Sequence, residues 1–559
     1  MKNEKTLDRP EEAKPHKVHR ALYNAVSLPY QAGYLFLYWI AVVVFFHCLD
    51  FRIFDFEVSS VLSKSLLLVD SGRLSYEGQS IYDSLTLGPL AHLLGALPLL
   101  VTRDIHYLYY FCSLLLVLSV PLFYLGCREI IRHGIFKVVA TFIFLCFMLR
   151  EEFPVLPDNT HFRPIFMALY FYLLARSNRG ERSIQLWLWV SIGLCMNCNI
   201  SMASFVPATL ALKPPRTRAD WKLVGWGLAI VIALNAQLLF QLFDSSAVEK
   251  GLAAVAGGGT GWKFSGLYFN LLMLWLVAPY LVLGPWMLAP ALGALIDWSE
   301  TEFKTKIRPY VYGLGAQYLF VVALFPVFNL IRKIWFPTFY YYEPSVIFWT
   351  VLIAGFLHFS LKPKASRPRK MIGWIAWVLV VGSFILSAQK QMAVAADPKS
   401  HADHPDDQIW VVRLIQLDHQ IQIARRIQQA VRKMGSANFT IYEHSYDWQD
   451  NRYCESYAGT SNSFATLVQY LYPEVGRRFS MADGDWYFHI LVQPIPKAYG
   501  LRLVPRSSAR SVHLDEFVTG RQYFSFFLTP ATKQKVDFRG ANDPNGLQDI
   551  KGCLKRKFR

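Results

Sequence analysis

The chain has 559 residues, of which 53% are hydrophobic, 15% aromatic and only 17% charged. Soluble domains carry about 25% charged residues, and here the deficit lies before about residue 390, in long apolar runs, which excludes a soluble enzyme for most of the chain. The net charge of +17 does not point to nucleic acid. Its cations stand in short clusters between apolar runs, the pattern that keeps Lys and Arg of membrane proteins in the cytoplasm.

The N-terminal tail, 1–30, is polar and Lys-rich, too polar and too long for a cleaved signal. Apolar runs long enough for spans follow near 32–49, 105–126, 135–149, 164–175, 184–198, 201–213, 222–243, 269–297, 311–328, 345–360 and 371–388. They predict an α-helical polytopic protein of about eleven transmembrane helices. The stretch 184–213 is short for two spans and reads equally as a shallow hairpin. With the tail (Lys14, Lys17, Arg20) inside, the inside segments are Arg128–Lys137, Arg176–Arg182, Lys213–Lys222, Lys304–Arg308 and Lys362–Lys370, all basic. This requires that 86–101, with Pro89, Gly95 and Pro98, be re-entrant or interfacial rather than crossing. The transmembrane module is then 31–390, with 50–104 as its first external loop.

Residues 391–559 follow outside, as an extracytoplasmic α/β domain. A polar linker (Asp397–Asp407) leads to an amphipathic helix near 409–434. Strand-like runs Phe439–Tyr442, Trp486–Val492 and Tyr523–Leu528 follow, with a helix near 462–472. Of the eight cysteines, Cys454 and Cys553 lie in this tail, where an oxidising compartment permits a disulfide between them; two independent thiols are the equal alternative. Cys195 and Cys198 lie in an apolar run and read as packing residues.

Three external segments carry chemistry. The first, DFRIFDFE, holds Asp50, Asp55 and Glu57. A helical stripe follows it (Val58, Val61, Leu62, Leu66, Val69), as in a helix lying in the membrane interface. Asp55 and Glu57 stand at its N-terminus, where the helix dipole favours the ionised form that a general base needs; ordinary helix caps look the same. The second, REEFPVLPDNTHFRP, sets Asp158, His161 and Arg163 just before a span. It reads either as a capped helix start with a snorkelling Arg or as a second acid converging on the first. The third, NLIRKIWFPTFYYYEP, carries Arg332 and Lys333 on the side that the positive-inside rule disfavours. These suit a phosphate or lipid headgroup, beside an aromatic run, Tyr340–Tyr342, that also suits an interfacial belt. The Gly-rich stretch around Lys263 follows no strand and is no nucleotide loop.

The segment DFEVSSVLSKSLLLVDSGRLSYEGQSIYDSLTLGPLAHLLGALPLL resembles the first external loop of the GT-C glycosyltransferases, multi-span enzymes that use lipid-phosphate-linked sugars. The matching features are an acid after span one (Asp55 or Glu57), an interfacial helix ending at Gly72, the Ile81-Tyr82-Asp83 element and the entry Gly88-Pro89-Leu90. The likeness is greatest to the bacterial polyprenol-phosphate mannose or arabinose transferases and the aminoarabinose transferases. In those branches an acid precedes span four, as Asp158 does. A hairpin follows, as 184–213 does, and a late Tyr-Pro segment precedes a span, as Tyr341–Pro344 does. Two features depart from the pattern. The acids are split as Asp-Phe-Glu instead of adjacent, and Cys198-Asn199-Ile200 replaces a Lys-Gly turn.

The resemblance implies a hexosyl- or pentosyltransferase of the cell inner membrane, with a polyprenyl-phosphate sugar as donor and a glycan, lipid or protein as acceptor. Asp55 or Glu57 would be the base, with Asp158 beside it. Arg332, Lys333 and Arg163 would meet the donor phosphate, and His161, Tyr82 and Tyr341 the substrates. A divalent ion, Mg2+ or Mn2+, held by Asp55 and Asp158 is the alternative counter-charge. The competing classes are a flippase for a lipid-linked glycan and a non-catalytic scaffold with an external binding domain.

Overall fold

The computed structural model describes residues 33–43, 54, 56–75, 80–81, 85–131, 134–151, 157–158, 161–178, 181–243, 279, 283–296, 301–332, 342–362, 365–396, 417–435, 437–447, 452–455, 459–479, 485–494, 506–507, 511–519, 522–531 and 538–539. The helical part begins with α1 (Gly33–Val43). The first loop follows as α2 (Phe56–Ser71), a short antiparallel pair β1 (Ser80–Ile81) and β2 (Leu85–Thr86), and α3 (Leu90–Val101). Next come α4 (His106–Ile130), α5 (Gly134–Glu151), α6 (Arg163–Ser177), α7 (Gln185–Cys198), α8 (Phe205–Leu212), α9 (Arg218–Leu234) and α10 (Ala236–Phe243). The series ends with α11 (Leu288–Ile296), α12 (Thr301–Lys306), α13 (Pro309–Arg332), α14 (Val346–Ser360) and α15 (Arg367–Ala396).

The packing follows from where the apolar residues stand. Every residue of α14 is buried. A helix apolar all round belongs inside a bundle, and α5, α11, α13 and α15 pack around it. Large apolar side chains of α9 and α15, among them Trp226, Trp374 and Val378, face outward, as on a lipid-facing rim. His106–Ile130, Glu343–Ser360 and Arg367–Leu386 are long and apolar enough to cross a membrane, and five shorter apolar helices accompany them among the described residues. The chain is a multi-pass membrane protein. α3, at 12 residues, rises only about 18 Å, short of a bilayer core of about 30 Å, in keeping with a segment that does not cross.

The amphipathic stripe after Glu57 forms α2, and the chain turns out of it at Gly72, whose φ of 67 lies in the region that favours glycine. The stripe's buried part, Val58, Val61 and Leu62, does not face lipid, as an interfacial helix would; it packs on protein. Val61 joins the bundle core. Val58 and Leu62 join a second core with Leu99, Ile105 and Leu108 and with residues of the C-terminal part.

The C-terminal part supplies α16 (Leu417–Arg432), α17 (Gly459–Leu471) and strands β3 (Phe439–Asp447), β4 (Arg452–Glu455), β5 (Trp486–Pro494), β6 (Arg506–Ser507), β7 (Val512–Thr519), β8 (Gln522–Pro530) and β9 (Phe538–Arg539). They form one sheet in the order β6-β9-β4-β3-β5-β8-β7, with only β3 and β5 parallel. Period-two alternation puts Phe439, Ile441, Phe488, Ile490, Phe524, Phe526 and Leu528 on the face shared with α16 and α17. The opposite face carries Tyr442, His444, Tyr487, His489 and Thr529. His444 Nε2 and His489 Nδ1 share a hydrogen bond of 2.9 Å, and His489 Nε2 lies 2.8 Å from Thr529 Oγ1. Burial pushes the His444 imidazole down to about 3 and holds that of His489 well below its usual range, with His444 beside it as a second cause.

The amphipathic helix expected near 409–434 is described from Leu417. The three strand-like runs open β3 and β5 and form the centre of β8, each strand being longer than expected. Cys454 lies in β4, whereas Cys553 and the linker Asp397–Asp407 lie outside the described residues. Cys195 and Cys198 are both buried in the bundle.

Candidate functional site

Three helix ends meet at one edge of the bundle. α6 begins at Arg163, with Pro164 in its first turn where the missing N–H costs nothing. α7 stops at Cys198, and Asn199 caps the short turn that follows, its Oδ1 accepting from Ser201 N at 3.0 Å. α14 is entered through the turn Glu343–Ser345, where Pro344 fixes the backbone.

Glu343 and Arg163 form an ion pair there, with side chains only 0% and 1% exposed. Asn199 Nδ2 donates to the same carboxylate oxygen, Oε2, at 3.3 Å. Two charges out of water require partners of this kind, and removing one partner of such a pair costs about 3–5 kcal/mol. Arg163 therefore does not snorkel to a surface; it lies inside, held by a carboxylate from a helix more than a hundred residues downstream. Around the pair, Gln317 Nε2 donates to Ser204 Oγ and to the Pro344 carbonyl at 3.4 Å each, and Trp349 Nε1 donates to the Tyr318 hydroxyl at 3.1 Å. The Tyr342 ring lies tilted against that of Tyr318, with centroids 5.9 Å apart. These contacts fix the α14 entry that carries Glu343.

Asp158 is buried and closes the turn into α6. Its Oδ1 accepts from the His161 backbone N at 2.9 Å and from His161 Nδ1 at 2.8 Å. A carboxylate only accepts, so Nδ1 carries the proton, and the carboxylate fixes the ring orientation and leaves Nε2 as the other face of the ring. Two residues on, Arg163 meets Glu343. Asp158 with His161, and Arg163 with Glu343 and Asn199, thus form two buried polar groups at the start of α6.

The first loop is set by the C-terminal part. Gln420 of α16 reads both polar groups of the Phe54 backbone: Phe54 N–H donates to Oε1 at 2.8 Å, and Gln420 Nε2 donates to the Phe54 carbonyl at 2.7 Å. Both residues are buried, and the Phe54 ring sits in the shared second core. Tyr470 of α17 donates to the Arg103 carbonyl, and His106 approaches Asp418 at 3.7 Å. Asp55, the next residue after the clamped one, lies outside the described residues, as do Tyr82, Lys333 and Tyr341. Glu57 and Arg332 are described as backbone only, in the first turn of α2 and the last of α13. The meeting of Asp55 with Asp158 is accordingly an expectation.

Four functional candidates come from the fold. Glu343 and Asn199 are named above, and Gln420 is the loop clamp. The fourth is His92 on α3, buried, with neither ring nitrogen hydrogen-bonded. Burial, and then the charge of Lys64, push it down to about 3. Glu343 had a sequence signal, an acid written directly into the start of an apolar run, which is expensive without a partner. Asn199 and Gln420 read as ordinary polar residues. The glycine of the expected Gly88-Pro89-Leu90 entry also has a steric reason: a Cβ at Gly88 would stand 1.7 Å from Asn197 Oδ1 and would displace an amide that donates to Asn235 Oδ1 at 3.0 Å.

Among the described residues no cluster of three or more His, Cys, Asp or Glu forms a metal site.

No protein-family model matches the chain, and no curated protein matches it. Several solved structures are similar. ArnT from Cupriavidus metallidurans in the apo state shows 11% identity and a TM-score of 0.45, over 89% of this chain and 98% of that one. The same protein bound to undecaprenyl phosphate shows 12% identity and a TM-score of 0.43, over 88% and 97%. The oligosaccharyltransferase of Archaeoglobus fulgidus, in the apo form, shows 14% identity and a TM-score of 0.43, over 81% of this chain and 64% of that one. At 11–14% identity and TM-scores of 0.43–0.45 these are similarities of fold alone.

Proposed function

We propose that the chain is a membrane glycosyltransferase that moves a sugar from a polyprenyl-phosphate donor to a glycan, lipid or protein acceptor outside the cytoplasmic membrane. The observation that carries this reading is the pair of buried polar groups at helix ends, Asp158 with His161 and Arg163 with Glu343 and Asn199. A transporter would place its ionisable groups at mid-depth on broken helices; here both members of the buried pair stand where a helix begins. A scaffold has no need of a buried ion pair beside a capped acid and an oriented imidazole.

The proposed topology has about eleven spans, a cytoplasmic tail over 1–30, the module 31–390, and an outer α/β domain over 391–559. In the reaction, Asp55 or Glu57 takes the proton of the acceptor hydroxyl. The acceptor oxygen then bonds to the anomeric carbon as the bond from that carbon to the phosphate oxygen breaks. The bonding pair leaves with the polyprenyl phosphate, and the configuration inverts. A positioned base contributes about 10²–10⁴-fold. Arg163 is charged, oriented by Glu343, and stands at the N-terminus of α6, so both the guanidinium and the helix dipole favour a phosphate there. Arg332, in the last turn of α13, and Lys333 would add cations, and Tyr82, Tyr341 and His161 would contact substrates. An Mg2+ or Mn2+ ion between Asp55 and Asp158, where one serves, would neutralise the leaving phosphate.

The test is transfer in proteoliposomes supplied with polyprenyl-phosphate sugars, read by mass spectrometry of the lipid and glycan products. Asp55→Asn or Glu57→Gln should abolish transfer while membrane insertion and elution on gel filtration stay normal, and chelation decides the metal. Surface glycans unchanged by deleting the gene would overturn the reading.

A further inference from the structure

The helices that carry the Arg163–Glu343 pair have a second constellation at their other ends. α6 and α14, 15 residues each, rise about 22 Å from that pair to a cavity of about 1220 Å3. It is bounded by the ends of α4, α6, α8 and α14 and the starts of α7, α9 and α13, with α12 alongside. It shares no residue with the site described above.

Its depth in the membrane can be read from neighbouring residues. Trp187 and Trp221 are 65% and 61% exposed, in the first turns of α7 and α9. Each is adjacent in sequence to a residue of the cavity wall, Leu188 and Asp220. Exposed Trp at helix ends marks the headgroup level.

The lining is amphipathic. Leu188, Trp189, Leu210 and Val224 form apolar wall. The cations are Lys213, Arg216, Lys306 and Lys362, against Glu129, Asp220 and Glu302. The acids are already engaged. Glu302 is bridged by Lys306 at 2.9 Å and Lys362 at 3.1 Å. Asp220 closes the capping box of α9. Arg128 stands 3.8 Å from Glu129. Lys213 Nζ is held over the end of α6 by the Ser177 carbonyl and hydroxyl, at 2.9 and 2.7 Å. The Arg216 guanidinium has no carboxylate partner among the described residues. A neutral group also waits there: the Tyr310 hydroxyl, on a side chain 2% exposed, lines the cavity with no hydrogen bond, Asn178 beside it but outside bonding geometry. A buried hydroxyl left in this state costs about 1–3 kcal/mol, a cost that an oxygen-rich ligand removes.

We propose that this cavity binds the phosphate-bearing headgroup of a lipid from the leaflet opposite the Arg163–Glu343 site. Lys213 and Arg216 meet the phosphate, Tyr310 donates to one of its oxygens, and the apolar wall takes the glycerol and the first methylenes. The anion alone could equally come from a soluble phosphate ester; the exposed Trp pair and the apolar wall favour the lipid.

The full chain in phosphatidylcholine nanodiscs, with or without phosphatidylglycerol, tests this by native mass spectrometry of retained lipid. The wild type should retain phosphatidylglycerol over phosphatidylcholine. Arg216→Ala should reduce the preference about fivefold, the worth of one cation at an anionic membrane surface. Lys213→Ala with Arg216→Ala should abolish it, and Tyr310→Phe should weaken it. Arg216 is exposed, so its single variant keeps the test valid if the double variant misfolds. Equal retention of both lipids by the wild type, or an Arg216→Ala protein that retains phosphatidylglycerol like the wild type, overturns the proposal. Displacement of the lipid by millimolar glycerol phosphate would overturn the lipid source.

Discussion

Gln420 provides the sharpest test of how the C-terminal part serves the first loop. Its amide pairs with both polar groups of the Phe54 backbone in a buried setting, so Gln420→Ala orphans one N–H and one C=O at once. Each costs about 1–3 kcal/mol if it stays buried, so the docked loop loses about 2–6 kcal/mol unless it lifts off. Even a loss of about 2 kcal/mol is roughly a 30-fold shift toward an undocked loop, one residue from the proposed base. Transfer in proteoliposomes should fall about tenfold or more, with a smaller change in thermal midpoint, because the two cores remain. Gln420→Glu separates geometry from bulk. Its ionised carboxylate accepts from the Phe54 N–H but repels the carbonyl; protonated at low pH, it regains a donor. Transfer by this variant should therefore recover, relative to wild type, as pH falls from 7 toward 5. A Q420A protein with wild-type transfer, or a Q420E protein with no relative recovery, would refute the argument that these two hydrogen bonds set the loop.

Three further outcomes follow from the geometry. Glu343→Gln strands the Arg163 charge inside the protein and should cost about 3–5 kcal/mol, read as a lower thermal midpoint; Arg163→Met with Glu343→Leu should regain much of that stability and none of the transfer. The buried His444 titrates at about 3, whereas an unfolded His titrates near 6.5. Between those values the unfolded state binds the extra proton, so stability is fully present above about pH 6.5. It falls by about 1.4 kcal/mol for each pH unit below that, down to about pH 3. Hydrogen exchange in β3 and β5 should accelerate accordingly, and a His444→Gln protein should show a flatter profile. Gly72→Val forces a β-branched residue into a φ of 67 and should destabilise the end of α2 by about 1–2 kcal/mol, seen as earlier proteolysis of the first loop.

What could be read from the sequence was what periodicity and cost make visible. The stripe from Val58 to Leu62 gave α2, and Gly72 gave its end, because both are local properties of the chain. The stripe's neighbour was not visible, since an apolar face looks the same against lipid as against Leu99 and the C-terminal core. β3, β5 and β8 were found because their alternation is strong. β7 was missed because its polar residues Asp515 and Glu516 stand on a strand broken by a bulge between His513 and Asp515. Asp158, His161 and Arg163 could be grouped from six consecutive residues. Glu343 and Asn199 join Arg163 from downstream; the acid at the start of an apolar run signals that Glu343 needs a partner, but nothing local says which residue supplies it.

The clamp on Phe54 joins residues separated by 366 positions. During synthesis the first loop leaves the ribosome early, and every later apolar helix is made before Gln420 exists. The loop that would hold the base is therefore among the first segments to be inserted and among the last to acquire its shape. A chain halted or cleaved before α16 would keep its helices in the bilayer yet lack the partner that seats residue 54, so incomplete copies would be inactive without having to be unfolded.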